Sequence, residues 1–191
     1  LCALSCGAQA RGGIDVVPFI GYRWGGEFED ANSETKLKLQ DNPAYGVAVD
    51  FDYGKNGQIG FIYSHQTTEF RENSAIPSDQ RFDLDIDYLQ FSSMYLWDGE
   101  ITRPFVTAGL GLTYMDPDKA GFNSTTRLSF SLGGGAKWYF TKHIGLRFEV
   151  RGYGTVIESG TAVFCSGGCN IQIRGSGVYQ LESSLGLIVR F

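Results

Sequence analysis

Apolar and polar residues alternate one by one along most of this chain after residue 14, and that periodicity constrains its fold more than any other feature. In the last run, Tyr179, Leu181, Ser183, Leu185, Leu187, Val189 and Phe191 share one parity, while Gln180, Glu182, Ser184, Gly186, Ile188 and Arg190 share the other. The same rhythm sets Leu146, Phe148 and Val150 against Arg147, Glu149 and Arg151, and Tyr45, Val47, Val49, Phe51 and Tyr53 against Gly46, Ala48, Asp50 and Asp52. Successive side chains of a β-strand point to opposite faces, whereas a helical face repeats every ~3.6 residues, so these runs read as strands. Eight strands are expected, near 14–29, 34–54, 58–69, 82–97, 103–116, 125–140, 144–157 and 178–191. The fourth changes faces midway, because Asp83, Asp85 and Asp87 share the parity of Leu89, Phe91 and Tyr95. A bulge near Tyr88 would restore one apolar face.

Alternation alone does not say whether the apolar face turns inward to a core or outward to lipid. Three observations favour the outward arrangement. The polar face carries charges of both signs: Arg23, Glu27, Asp50, Asp52, Arg127, Lys137, Arg147, Glu149, Arg151, Glu182 and Arg190. The apolar face carries aromatics near strand ends, namely Trp24, Tyr53, Trp97, Tyr114, Trp138, Phe140 and Phe191. Such side chains suit a lipid–water interface, where Trp and Tyr keep one end apolar and the other wet. Most strands also run roughly 12 to 20 residues, more than the ~9–11 that cross a bilayer. No stretch of 18 consecutive apolar residues offers a helical span.

Connections sharpen this reading. Lys55-Asn56-Gly57, residues 98–102 and Thr141-Lys142-His143 are short, whereas those near 70–81, 117–124 and 158–177 are long and polar. Short turns on one side, longer loops on the other and both termini on the short side fit an outer-membrane barrel. Closing the sheet leaves no edge for hydrocarbon to strand. The expected fold is therefore all-β, an eight-stranded antiparallel up-and-down transmembrane β-barrel. The 26 glycines among 191 residues then gain a role, since Gly109, Gly111, Gly133 and Gly135 fall on the lumen parity, where side chains crowd. Gly152 and Gly154 fall on the outer parity, where curvature is the role expected of them.

Residues 1–10 read as the tail of a signal peptide, because small apolar residues precede Ala8-Gln9-Ala10, an A-x-A cleavage pattern; residues 11–191 are the barrel domain. Cys165 and Cys169, spaced by Ser-Gly-Gly, are expected to pair as a disulfide in an exported protein. Two cysteines without a neighbouring histidine do not complete a tetrahedral zinc shell.

The chain resembles the OmpA/OmpX-type family of small outer-membrane β-barrels over Ile14 to Phe191. The most specific element is the closing run from Leu185 to Phe191, similar to the signal read by the barrel assembly machinery. The resemblance implies a bacterial outer-membrane location with both termini periplasmic, contact with lipid and lipopolysaccharide, and no shared catalytic residues. A net charge of −5 gives no electrostatic reason to expect nucleic acid. No cofactor motif is apparent, and a closed barrel has no edge that demands a partner, so a monomer is expected.

The chemistry-bearing residues are few. Asp50, Asp52, Asp85 and Asp87 are expected in the lumen, neutralised by Arg127, Arg147 and Arg151 in an ion-pair network with Arg23, Lys137, Glu149 and Glu182, a better reading than a calcium cage. Trp24, Trp97, Trp138, Phe140 and Phe191 are expected at the membrane interface. His143 reads as a solvated turn residue. His65 shares its face with Thr67 and Glu69 but not with Ser64, so a His-Thr-Glu cluster like the His, Ser and carboxylate sets of lipid A deacylases is conceivable. The expected function is non-enzymatic, with long surface loops serving envelope integrity or surface contact. A small pore or ligand conduit is the alternative, and a barrel enzyme acting on lipid A ranks below both.

Overall fold

A computed structural model describes residues 12–25, 27–29, 36–39, 41–71, 83–99, 101–117, 124–156 and 177–191. The strands are β1 (Ile14–Trp24), β2 (Glu27–Glu29), β3 (Lys36–Leu39), β4 (Asn42–Tyr53), β5 (Gly57–Arg71), β6 (Asp83–Leu96), β7 (Thr102–Pro117), β8 (Thr125–Tyr139), β9 (Ile144–Val156) and β10 (Gly177–Arg190). No helix occurs among the described residues. Eight of these strands pair antiparallel with their neighbours in the chain, and β1 pairs with β10, which closes the barrel. The short β2–β3 ribbon continues the first hairpin beyond the barrel and pairs with the end of β5.

Two expected strands are thus interrupted. The run expected over 14–29 breaks at Gly25, whose φ of 84° only glycine adopts readily. The run expected over 34–54 breaks between Leu39 and Asn42. At the first short turn the left-handed residue is Gly54, with φ 70°, and the Asn56 side chain donates to the Leu96 carbonyl at 2.9 Å. His143 is exposed but not merely solvated, since its Nδ1 lies 2.9 Å from the Arg190 carbonyl oxygen beside the closing strand.

The bulge expected near Tyr88 is absent. The β5–β6 ladder runs without a slip from Gly57↔Tyr95 to Glu69↔Asp83, and β6–β7 is equally continuous. Tyr88 points inward and is buried, so Asp85 and Asp87 point outward with Leu89 and Phe91, not into the lumen. The change of polarity along β6 is real, but it marks where the strand leaves the apolar belt.

That belt is continuous around the wall. Ile20, Val47, Phe61, Leu89, Phe91, Leu110, Leu132, Phe148 and Leu185 are outward and exposed. At the loop end it is rimmed by Tyr22, Trp24, Tyr45, Tyr63, Tyr114 and Tyr179, and at the turn end by Tyr53, Tyr95, Trp97, Phe140 and Phe191. Trp138 is half-buried on the same outer face near the turn end. Inside, Val17, Phe19, Ala48, Ile62 and Ile188 form a small apolar cluster, and Met94, Leu96 and Phe105 form a second.

Close approach explains two of the mid-strand glycines. A Cβ at Gly135 would stand 1.9 Å from the Phe148 carbonyl oxygen of β9. On the outside, a Cβ at Gly154 would enter the Phe130 ring at 2.4 Å, so this glycine seats a cross-strand aromatic rather than only bending the sheet. Gly135→Ala should destabilise the folded barrel by about 1–3 kcal/mol through overpacking. The urea midpoint in detergent micelles measures this, and an unchanged midpoint would show that the β8–β9 ladder opens without cost.

Candidate functional site

Charge inside a barrel needs partners, because an unpaired ion away from bulk water is costly. Alternation delivers the charges to the lumen, and register decides who meets whom. At the turn end, Lys137 on β8 is completely buried, and its Nζ donates to Asp15 Oδ2 at 3.0 Å, Asp50 Oδ2 at 2.9 Å and Gln58 Oε1 at 2.6 Å. Asp15 also accepts from Tyr139, Gln58 and Arg190. Arg190 further pairs with Asp52, which accepts from Gln58 at 2.7 Å. Asp15, Asp50, Gln58 and Lys137 come from four different strands, so the cluster ties the wall across its diameter.

The chain of pairs continues upward. Arg147 bridges Asp50 at 3.0 Å and Glu149 at 2.5 Å, and Arg151 Nε donates to Glu149 at 2.7 Å. Arg151 also donates to Ser131, which donates to Gln90. Toward the loop end, Arg23 Nε donates to Glu182 at 2.9 Å, while Ser64 joins the same carboxylate at 3.1 Å. The Arg23 guanidinium lies over the rings of Tyr88 and Tyr153, at 4.8 and 5.1 Å, and those rings stack on each other at 4.3 Å.

The structure therefore brings Arg23, Asp50, Asp52, Lys137, Arg147, Glu149, Arg151 and Glu182 into the lumen in ion pairs or hydrogen bonds. Arg127 is half-buried and forms no ion pair among the described residues. The Glu27 side chain, and Cys165 with Cys169, lie outside the described residues. Sequence reasoning missed Asp15, Gln58, Ser64, Gln90 and the Tyr88–Tyr153 stack. Asp15 shares its parity with Val17 and Phe19, so its own strand disguises it, and only the register with β4 and β10 places it beside Asp50 and Arg190.

A second constellation lies on the outer wall, level with Tyr45 and one step beyond Tyr63. His65 on β5 sits directly opposite Asp87 on β6, and Thr67 opposite Asp85. His65 Nδ1 is 2.7 Å from Asp87 Oδ1, which also accepts from the Tyr63 hydroxyl at 2.8 Å. His65 Nε2 is 3.3 Å from Thr67 Oγ, and Thr67 donates to Asp85 at 2.7 Å. The Tyr45 ring packs against the imidazole at 5.1 Å. The side chain of Glu69, the acid expected for this cluster, is not described, and Ser64 points into the lumen.

No His/Cys/Asp/Glu group able to hold a metal occurs among the described residues. Replacing Lys137 with Met leaves Asp15 and Asp50 without their shared cation and should cost about 3–5 kcal/mol. Urea unfolding in micelles measures this, and neutralising Asp50 as well should recover part of the loss. A Lys137→Met barrel as stable as the parent would show that water reaches the cluster freely.

This architecture can be set against known proteins. The structure resembles Neisserial surface protein A, with a TM-score of 0.60 at 15% identity over 94% of this chain and 97% of that one. It also resembles OprG from Pseudomonas aeruginosa, with a TM-score of 0.57 at 12% identity over 94% and 95%. The outer membrane protease OmpT from Escherichia coli matches with a TM-score of 0.50 at 10% identity over 94% and 96%. At these identities the likeness is one of fold alone. A sequence comparison with curated proteins finds no match. The model of the outer membrane protein β-barrel domain matches residues 1–191, and with polar charge locked inside and an apolar, aromatic-rimmed wall outside, the chain belongs to that family of bacterial outer-membrane barrels.

Proposed function

We propose that the chain is a plugged, non-conducting barrel that works through its outer surfaces, supporting envelope integrity or surface contact, rather than through its lumen. The observation that carries this reading is the ladder of buried pairs from Asp15 and Lys137 through Arg147 and Glu149 to Arg23 and Glu182. An eight-stranded interior is just wide enough for side chains to fill, and here they are tied across it. Opening a path would separate several desolvated ions at once. A pore or conduit is the second reading, and it has no comparable support.

In this reading both termini and the short turns face the periplasm, and the long segments near 72–82, 118–123 and 157–176 face outward. The Cys165–Cys169 disulfide would lie in the last of these. Trp24 would anchor the outer interface, and Trp97, Trp138, Phe140 and Phe191 the inner one. Lipid and lipopolysaccharide would cover the belt, the barrel would be a monomer, and β10 would be the strand read by the assembly machinery.

Planar-bilayer recording at high protein density should remain silent, while discrete conductance steps would replace this reading with the pore. Single cysteines at Ser124 and at Lys55 test the orientation. A membrane-impermeant maleimide on intact cells should label the first and spare the second, and the opposite pattern would invert the barrel.

A further inference from the structure

Among the described residues, the fully buried charges of the lumen all take part in its network of pairs, but the His65 constellation on the outer wall does not. Leaving the belt accounts for polar side chains on this stretch of β5 and β6, but not for the way His65, Thr67, Asp85 and Asp87 are joined to one another. Pairing alone would be met by His65 and Asp87. The arrangement goes further, because the imidazole is held at one nitrogen and presents the other to a hydroxyl.

We propose that Asp87, His65 and Thr67 form an acyl-ester hydrolase site on the outer wall of the barrel, acting on fatty-acyl esters of membrane amphiphiles. A carboxylate only accepts hydrogen bonds, so the 2.7 Å contact places a His65 proton on Nδ1, and in the neutral imidazole the lone pair is then on Nε2. Thr67 Oγ is 3.3 Å from that nitrogen, within the looser range of a nucleophile–base pair before substrate binds. The ordering hydroxyl–imidazole–carboxylate is recognised by geometry and roles, not by position in sequence. The register creates it: His65 and Thr67 share a face two residues apart, and Asp87 lies across from His65. Tyr63 and Tyr45 hold the acid and the ring in place.

Thr67 also has a second acceptor, Asp85, at 2.7 Å. The one hydroxyl proton therefore rests on Asp85 and turns to Nε2 when a carbonyl approaches. In the reaction, Thr67 Oγ bonds to the ester carbonyl carbon and its proton passes to Nε2. The carbon–oxygen bond to the alcohol breaks, and the departing oxygen takes the proton from Nε2. Water then attacks the acyl-threonine ester, gives a proton to Nε2 and returns it to Thr67, releasing the carboxylic acid. Ester and water become acid and alcohol, with no further reactant.

Position selects the substrate class. The site lies one step beyond Tyr63 and Leu89, so acyl chains lying along Phe61, Leu89 and Phe91 bring their ester groups to its level. The Asp85 side chain, 46% exposed on the outer wall, adds a second carboxylate at that level. Assigning the outer leaflet rests on the orientation proposed above, whereas the chemistry does not, since micelles expose both ends.

The test uses the folded chain in detergent micelles with three probes: purified lipopolysaccharide, phosphatidylglycerol mixed micelles and p-nitrophenyl decanoate. Fatty acid should be released from at least one, and the first two arms separate a glycolipid ester from a phospholipid ester. His65→Ala and Thr67→Val should each lower the rate at least about 100-fold, with heat-modifiable gel migration unchanged. Thr67→Ser should retain activity, and a fluorophosphonate should label Thr67 only when His65 is present. Asp87 acts as a positioning residue, so Asp87→Asn should lower kcat and leave KM unchanged. Wild-type release no faster than that of His65→Ala on all three probes, or undiminished release by Thr67→Val, overturns the proposal. Conductance in the bilayer would overturn the plugged-barrel reading and leave this one standing.

Discussion

Everything in this molecule follows from the need to satisfy each backbone hydrogen bond within the sheet where no water is available. An open sheet in hydrocarbon would leave an edge of unpaired N–H and C=O groups, each costing several kcal/mol. Pairing of β1 with β10 removes the edge. Once the sheet is closed, alternation stops being a pattern and becomes a partition, with one set of side chains given to lipid and the other confined in a narrow lumen. The closure is continuous enough that glycines are required where carbonyls of the next strand come close, as at Gly135.

Confinement then dictates the chemistry of the interior. Ions placed in a lumen this narrow are costly unless paired, and apart from Arg127 the lumen cations among the described residues each face more than one acceptor. Lys137 meets two carboxylates and an amide, and Arg147 spans Asp50 and Glu149. Such an interior ties the wall to itself across the lumen. The His65–Asp87 pair lies on the outer face of the paired strands β5 and β6, beside the aromatic rim of the apolar belt.

The barrel itself was legible because period-2 alternation survives any error in strand ends. Parity also places charged side chains such as Arg23, Asp50, Lys137, Glu149 and Glu182 on the inner face, where they are buried. What escaped is whatever depends on register or on depth. Asp15 sits among apolar neighbours on its own strand, so nothing local marks it as the acceptor of Lys137. Asp85 and Asp87 looked misplaced because strand polarity was judged as if the whole strand lay in the membrane. In fact β6 keeps its register and passes out of the belt, so its outer face turns polar without a bulge. The same strand supplies the acid for His65, a partner that lies 22 residues away in sequence and directly across in space.

The partition of faces is the central claim, and β10 tests it most directly. Spin labels placed singly from Leu181 to Val189 in a lipid bilayer report collision with oxygen, which favours hydrocarbon, and with a polar nickel chelate, which does not. The account predicts a period of two, with oxygen contact high at 181, 185, 187 and 189 and low at 182, 184, 186 and 188. An inverted phase would mean that the apolar face is a core, and a uniform profile would mean that β10 is not part of a lipid-facing wall.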